Sequence, residues 1–195
     1  MPKVVAEYRT HAQERIVDAA QAVIRRKGFR TTTVEDIAKE IGVSKGAIYL
    51  YFRTKGELLS AIQERSREQV MAKWNRLLDG GDVAEGIADS LEEVFRGEVD
   101  PGVWHELLAE SASNPEVREA LRVDSRDDLR TMREFLKRLE ERGRIRPVRD
   151  RNTVAEIVLA LLQASVLDLL LHGRAASARR TLVRSLRYLL QPTSS

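Results

Sequence analysis

Apolar residues recur at spacings of three and four along this whole chain, and nowhere do they alternate strictly with polar ones. The first spacing covers one face of a helix, whereas alternation would line one face of a strand. A chain with only the first pattern can bury its apolar side chains in one way, so the expected fold is all-α. With 195 residues there is room for one domain or two small ones, and a fold of that size buries about 70% of the surface its unfolded chain exposes.

Caps and breakers divide the pattern into nine helices. The first covers roughly 10 to 27, with Ile16, Ala20, Val23 and Ile24 on one face, and stops at Gly28. Thr32 or Thr33 caps the second, since Glu35 and Asp36 stand three residues beyond them as a capping box requires. Its stripe is Val34, Ile37, Ala38 and Ile41, and it ends at Gly42. Ser44 caps a third helix running to about Phe52, and Thr54 with Glu57 opens a fourth that continues to about Leu78. Gly80, Gly81 and Asp82 break the chain before a fifth, over roughly 83 to 96. Asp100-Pro101 and Asn114-Pro115 are caps followed by proline in the first helical position, and open the sixth and seventh. The seventh extends to about Arg142, with a bend expected near Val123 to Ser125. The eighth covers about 152 to 171 and closes at Gly173, and the ninth runs from about 175 to 190.

Charge is distributed unevenly. Residues 1 to 55 hold 11 Lys and Arg against 6 Asp and Glu, a balance of +5, while the other 140 residues stand at −2. A basic first quarter points to nucleic acid or an anionic surface. Within it, a hydroxyl residue, a lysine and a glycine stand together twice, as Ser44-Lys45-Gly46 and Thr54-Lys55-Gly56, each at a helix start. A lysine there faces the positive end of the helix dipole, which is unfavourable. An anion would remove the conflict, because free N–H groups at a helix start bind phosphate and a glycine lets it approach the backbone. Lys55 in particular has no evident structural motive for its place.

Residues 34 to 53 fit a helix-turn-helix. Ala38 is small where two helices would cross, Gly42 permits the turn, and Ile37, Ile41, Val43 and Ile48 supply a shared core. Projected at 100° per residue, the second helix has two sides. Lys45, Gly46, Tyr49 and Leu50 share one and would face DNA, with Lys45 and Tyr49 suited to phosphates and Leu50 to a thymine methyl. Ala47, Ile48, Tyr51 and Phe52 share the other.

On these residues the chain resembles the tetracycline-repressor (TetR) family. The likeness runs over residues 9 to 60, and above all through Thr33-Val34-Glu35-Asp36-Ile37-Ala38, Gly42-Val43-Ser44-Lys45-Gly46-Ala47-Ile48-Tyr49-Leu50-Tyr51-Phe52 and Lys55. It is looser beyond them, where Glu141 to Pro147 before a long apolar helix is similar to the effector domain of many members. Residues 1–55 are then expected to form the DNA-binding domain and 56–195 an effector-binding and dimerisation domain. The resemblance implies contacts to double-stranded operator DNA from Thr33, Ser44, Lys45, Gly46, Tyr49, Tyr51 and Lys55. Tyr51 stands where the family often has histidine, and Ala47 where it often has a polar residue. Tyr51 has a second reading, packing with Phe52 in the small core.

The same resemblance implies a homodimeric repressor released from a pseudo-palindromic operator by a small effector, and a cytoplasmic location. The interface is expected on the last two helices, at Leu161, Leu182, Leu186 and Leu189. A helix as apolar as 154 to 171 needs cover from several sides, which a partner subunit would supply. The effector pocket, for a largely apolar compound, is expected among Phe95, Trp104, His105, Met132, Phe135 and Leu136, although their helical spacing also suits core.

Other chemistries are excluded. Gly42-Val43-Ser44-Lys45-Gly46 spells the hydrolase elbow G-x-S-x-G, but a helical stripe and no strand precedes the serine. His105-Glu106 begins a zinc-protease motif that fails at Ala109. The chain has no cysteine and only three separated histidines, so no transition-metal site, disulfide, cofactor or catalytic residue is expected. Met1 to Thr10 lacks the apolar run of a signal peptide. A membrane span at 154 to 171 is not expected either, because Glu156, Gln163 and Asp168 interrupt it.

Overall fold

A computed structural model describes residues 2–95, 101–173 and 175–191, with side chains over 8–89, 102–173 and 175–191. The described residues form helices and connecting turns, without a strand. These helices are α1 (Pro2–Lys27), α2 (Val34–Ile41), α3 (Lys45–Tyr49), α4 (Lys55–Trp74), α5 (Val83–Phe95), α6 (Pro101–Ser111), α7 (Pro115–Glu141), α8 (Arg151–His172) and α9 (Ala175–Leu190). A 3₁₀ turn, Asn75–Leu78, follows α4. α1 starts eight residues earlier than expected, and α7 is helical without interruption over the Val123 to Ser125 stretch. The expected Asp100 cap lies outside the described residues.

The caps explain most boundaries. Thr33, rather than Thr32, is the N-cap of α2: its hydroxyl accepts the Asp36 N–H at 3.2 Å, and Asp36 accepts the Thr33 N–H at 2.9 Å. Thr32 is instead buried and donates its hydroxyl to the Gly28 carbonyl at 2.7 Å. Asp150 caps α8 by accepting the N–H groups of Asn152 and Thr153, and Gly173 closes it in the left-handed region. α3 ends three residues sooner than expected: the Tyr51 N–H tightens onto the Ile48 carbonyl three residues back, and the Arg53 N–H, which would carry the ladder on, goes to the Glu57 carboxylate at 2.7 Å.

The chain packs into two compact units. The first comprises Met1–Ser66 and Gly102–Asp124, the second Arg67–Pro101 and Ser125–Ser195. Packing therefore does not stop at residue 55. In the first unit Ile16, Val17, Ala20 and Val23 of α1 enclose Ile37, Ala38, Ile48, Phe52 and Leu58. A second cluster there joins Ile24, Phe29 and Leu59 to Leu107, Val117, Ala120 and Leu121 of α6 and α7. In the second unit, α5, α7, α8 and α9 bury Ile87, Phe135, Leu139, Val158, Leu182 and Leu186 around Trp74, whose ring centroid lies 5.5 Å from that of Phe135.

Candidate nucleic-acid interface

α3 is fixed from behind. Ile48 and Phe52 are buried against α1 and α2, at 1% and 7% exposure, while Leu50 on the opposite side is 76% exposed and Tyr49 43%. Lys45 and Gly46 are exposed beside them, with the Lys45 ammonium 5.8 Å from the Tyr49 ring centroid. The five-residue helix is held in place by its buried side, by the Ser44 cap on the Ala47 N–H at 3.2 Å, and by the preceding turn, where Gly42 sits in the left-handed region. Ion pairs tie α2 to α1, Arg26 to Glu40 and Lys27 to Asp36, each at 2.7 Å. The Lys27 hydrogen bond, with those of Thr33, holds the Asp36 carboxyl far below the usual carboxylate range.

Six of the eight expected DNA-facing residues are exposed: Thr33, Ser44, Lys45, Gly46, Tyr49 and Leu50. Tyr51 is half-buried against the Ile16 and Ile48 cluster, which favours its core reading. Lys55 also departs from expectation. Its ammonium donates to the Phe29 carbonyl and lies 3.9 Å from the centroid of the Phe29 ring. Burial lowers its pKa, opposed by the negative charges of Glu110, Glu106 and Glu116. The lysine that had no structural motive in sequence has one in the fold.

The same corner explains Gly56. Glu116 accepts the Gly56 N–H at 2.6 Å, and a Cβ on Gly56 would stand 2.6 Å from the Glu116 Cγ. Glu106 accepts the N–H groups of Phe29 and Arg30 at 2.8 and 2.6 Å. Two carboxylates from α6 and α7 thus occupy backbone donors at the end of the α1 corner and the start of α4. Neither was singled out by sequence reasoning, and with 60 residues between Gly56 and Glu116 no local signal marks them.

The other expected sites are rearranged too. Leu182 and Leu186, expected at the interface, are 1% and 0% exposed within this chain's own core. Leu161 and Leu189 are partly buried against the same core. The amphipathic period of α9 points its leucines inward, and its outward side is mostly Arg180, Thr181, Arg184 and Arg187, with Tyr188. The exposed apolar stripe is on α8: Ile157, Ala160, Ala164, Leu167 and Leu171, spaced three and four apart. Of the expected pocket, Met132, Phe135 and Leu136 are fully buried core of the second unit, because their spacing places them on the inward stripe of α7. Trp104 and His105 are half-buried in the first unit, and the Phe95 side chain lies outside the described residues. Gln63 of α4, unremarked in sequence, buries both amide atoms without a hydrogen-bond partner.

Residues 16–62 match the model of the family described as bacterial regulatory proteins, tetR family, a stretch holding α2, α3 and the start of α4. The chain is 32% identical over 165 residues to YfiR of Bacillus subtilis (strain 168), an uncharacterized HTH-type transcriptional regulator, covering 81% of this chain and 80% of that one. Its fold is shared with GusR of Salmonella enterica, at a TM-score of 0.71 and 24% identity over 92% of this chain and 95% of that one. It is shared also with SmeT in its triclosan complex, at 0.68 and 23% over 95% and 93%. The chain belongs to the TetR family of helix-turn-helix transcriptional regulators, and is not an enzyme.

Proposed function

We propose that the chain is a homodimeric repressor whose α3 helices enter successive major grooves of a pseudo-palindromic operator, and which a small effector releases, in the cytoplasm where that DNA lies. One observation carries the DNA reading: Lys45, Gly46, Tyr49 and Leu50 are exposed together while Ile48 and Phe52 pin the same helix from behind. Residues 1–55 supply this surface, and 56–195 the effector and dimer functions. Lys45 and Tyr49 position the helix on phosphates, and Leu50 reads an apolar base edge. Selection of bound duplexes from random DNA tests the proposal. It should enrich inverted half-sites separated by about 34 to 36 Å, one helical turn, and a result with no enriched sequence would refute it.

The dimer rests on the α8 stripe of Ile157, Ala160, Ala164, Leu167 and Leu171, since alternate spacings of three and four form a helix-pairing seam. Leu167→Glu should yield a folded monomer in sedimentation, and a mutant still dimeric would refute this seam. Leu186→Glu, in contrast, should unfold the second unit, because it places a charge in the core.

The effector is proposed to be mainly apolar with one hydrogen-bonding group. A buried amide without a partner costs about 1–3 kcal/mol, which makes Gln63 the natural partner for that group, one turn beyond core Leu59. SmeT, which shares this fold, is solved as a complex with the small molecule triclosan. In a screen for compounds that release DNA, Gln63→Leu should blunt release while leaving DNA binding intact; release unchanged in that variant would remove Gln63.

A further inference from the structure

We infer that Glu106, Glu110 and Glu116 form an internal anion that competes with a DNA phosphate for the start of α4, an autoinhibitory contact within the DNA-binding unit. The inference rests on the DNA reading above. All its members belong to the first compact unit. The Gly56 N–H, one of the donors a helix start offers an anion, is held by Glu116 at 2.6 Å. The Lys55 ammonium is turned onto the Phe29 carbonyl and ring. That carbonyl belongs to the corner whose Phe29 and Arg30 N–H groups Glu106 holds at 2.8 and 2.6 Å. Glu110 takes the Asn114 amide at 3.2 Å and adds its charge near Lys55.

A phosphate placed at the Gly56 N–H would meet the Glu116 carboxylate already there, with the charges of Glu110 and Glu106 acting on the same lysine. Phosphate and the Glu116 carboxylate require the same Gly56 donor, so only one of them is held at a time. DNA gains this contact by displacing Glu116 from Gly56 and drawing Lys55 off Phe29, and its affinity is reduced by the free energy of that exchange. Lys55 is thus a conditional phosphate ligand, with Glu116 and Glu110 as positioning residues that set the condition.

Binding of the full-length protein to a non-specific duplex, followed across a salt series, tests the exchange. Glu116→Gln keeps an amide oxygen for the Gly56 N–H but removes the charge, and Glu110→Gln leaves the Gly56 contact untouched. Each should tighten binding by about 5-fold or more, the lower end of typical coupling between sites. The salt slope should steepen by about 0.9, the value for one added phosphate contact. Adding Lys55→Ala to either variant should cancel both changes. Unchanged affinity in both glutamine variants, or a gain that survives Lys55→Ala, would overturn the inference. Lys45→Ala separates the two levels: binding that it leaves unweakened would overturn the DNA reading itself. Melting curves on the same samples confirm that each variant is folded.

Discussion

Ser44-Lys45-Gly46 and Thr54-Lys55-Gly56 are written alike and do different things. In both, the hydroxyl caps the helix, Ser44 taking the Ala47 N–H at 3.2 Å and Thr54 the Glu57 N–H at 3.1 Å. Beyond the cap they diverge. The first start is open: Lys45 is exposed beside Tyr49, and a Cβ on Gly46 would meet only the Ser44 hydroxyl at 3.8 Å. The second is closed, with Glu116 on the Gly56 N–H and Lys55 on the Phe29 carbonyl. Both follow the same electrostatic rule, that a helix start carrying a lysine wants an anion. The fold supplies that anion at the second and leaves the first open, the start that the proposed function assigns to DNA.

Substitutions at matched positions should separate the two starts. The largest difference is expected at the glycines. Gly56→Ala forces Glu116 aside and should destabilise by about 1–3 kcal/mol, as overpacking does, in urea unfolding. Gly46→Ala should stay within about 0.5 kcal/mol of wild type, as an exposed site does. Equal losses would erase the distinction between open and closed. Next are the caps, where Ser44→Ala and Thr54→Ala should each cost about 1 kcal/mol, because capping is what the two starts share. A cap effect at only one would show that the local geometry differs as well. The lysines have an effect on stability no larger than that of the caps, and the clearest effect on function. Lys55→Ala should lose about 1 kcal/mol with its carbonyl contact. Lys45→Ala should leave melting unchanged but lower the salt slope of DNA binding by about one ion. The reverse assignment would exchange their roles.

What sequence made legible follows the range of the interaction. Helix ends set by neighbours within four residues, Thr33 with Asp36, Ser44 with Ala47, Gly173 after α8, can be read directly. So can the two sides of α3, since Ile48 and Leu50 differ by helical projection alone. The end of α3 could not, because Phe52 continues the apolar period while the next N–H, that of Arg53, has already left the helix for the Glu57 carboxylate. Periodicity also fails to say what covers a stripe. The leucines of α9 suit an interface and a core equally, and only their packing against α5 and α8 decides for core at Leu182 and Leu186. The exposed stripe of α8 was masked by its general apolarity, for every face of that helix looks buried in sequence. The Glu116 contact with Gly56 depends on helices far apart in the chain and has no local signature.

The most direct test is residue-resolved amide exchange of the free protein at Gly46 and Gly56, repeated with duplex DNA. The Gly56 amide should exchange slowly without DNA, held by Glu116, and the Gly46 amide rapidly, gaining protection when DNA is added. Rapid exchange at Gly56 in the free protein, or a Gly46 amide indifferent to DNA, would contradict the assignment of a closed and an open helix start.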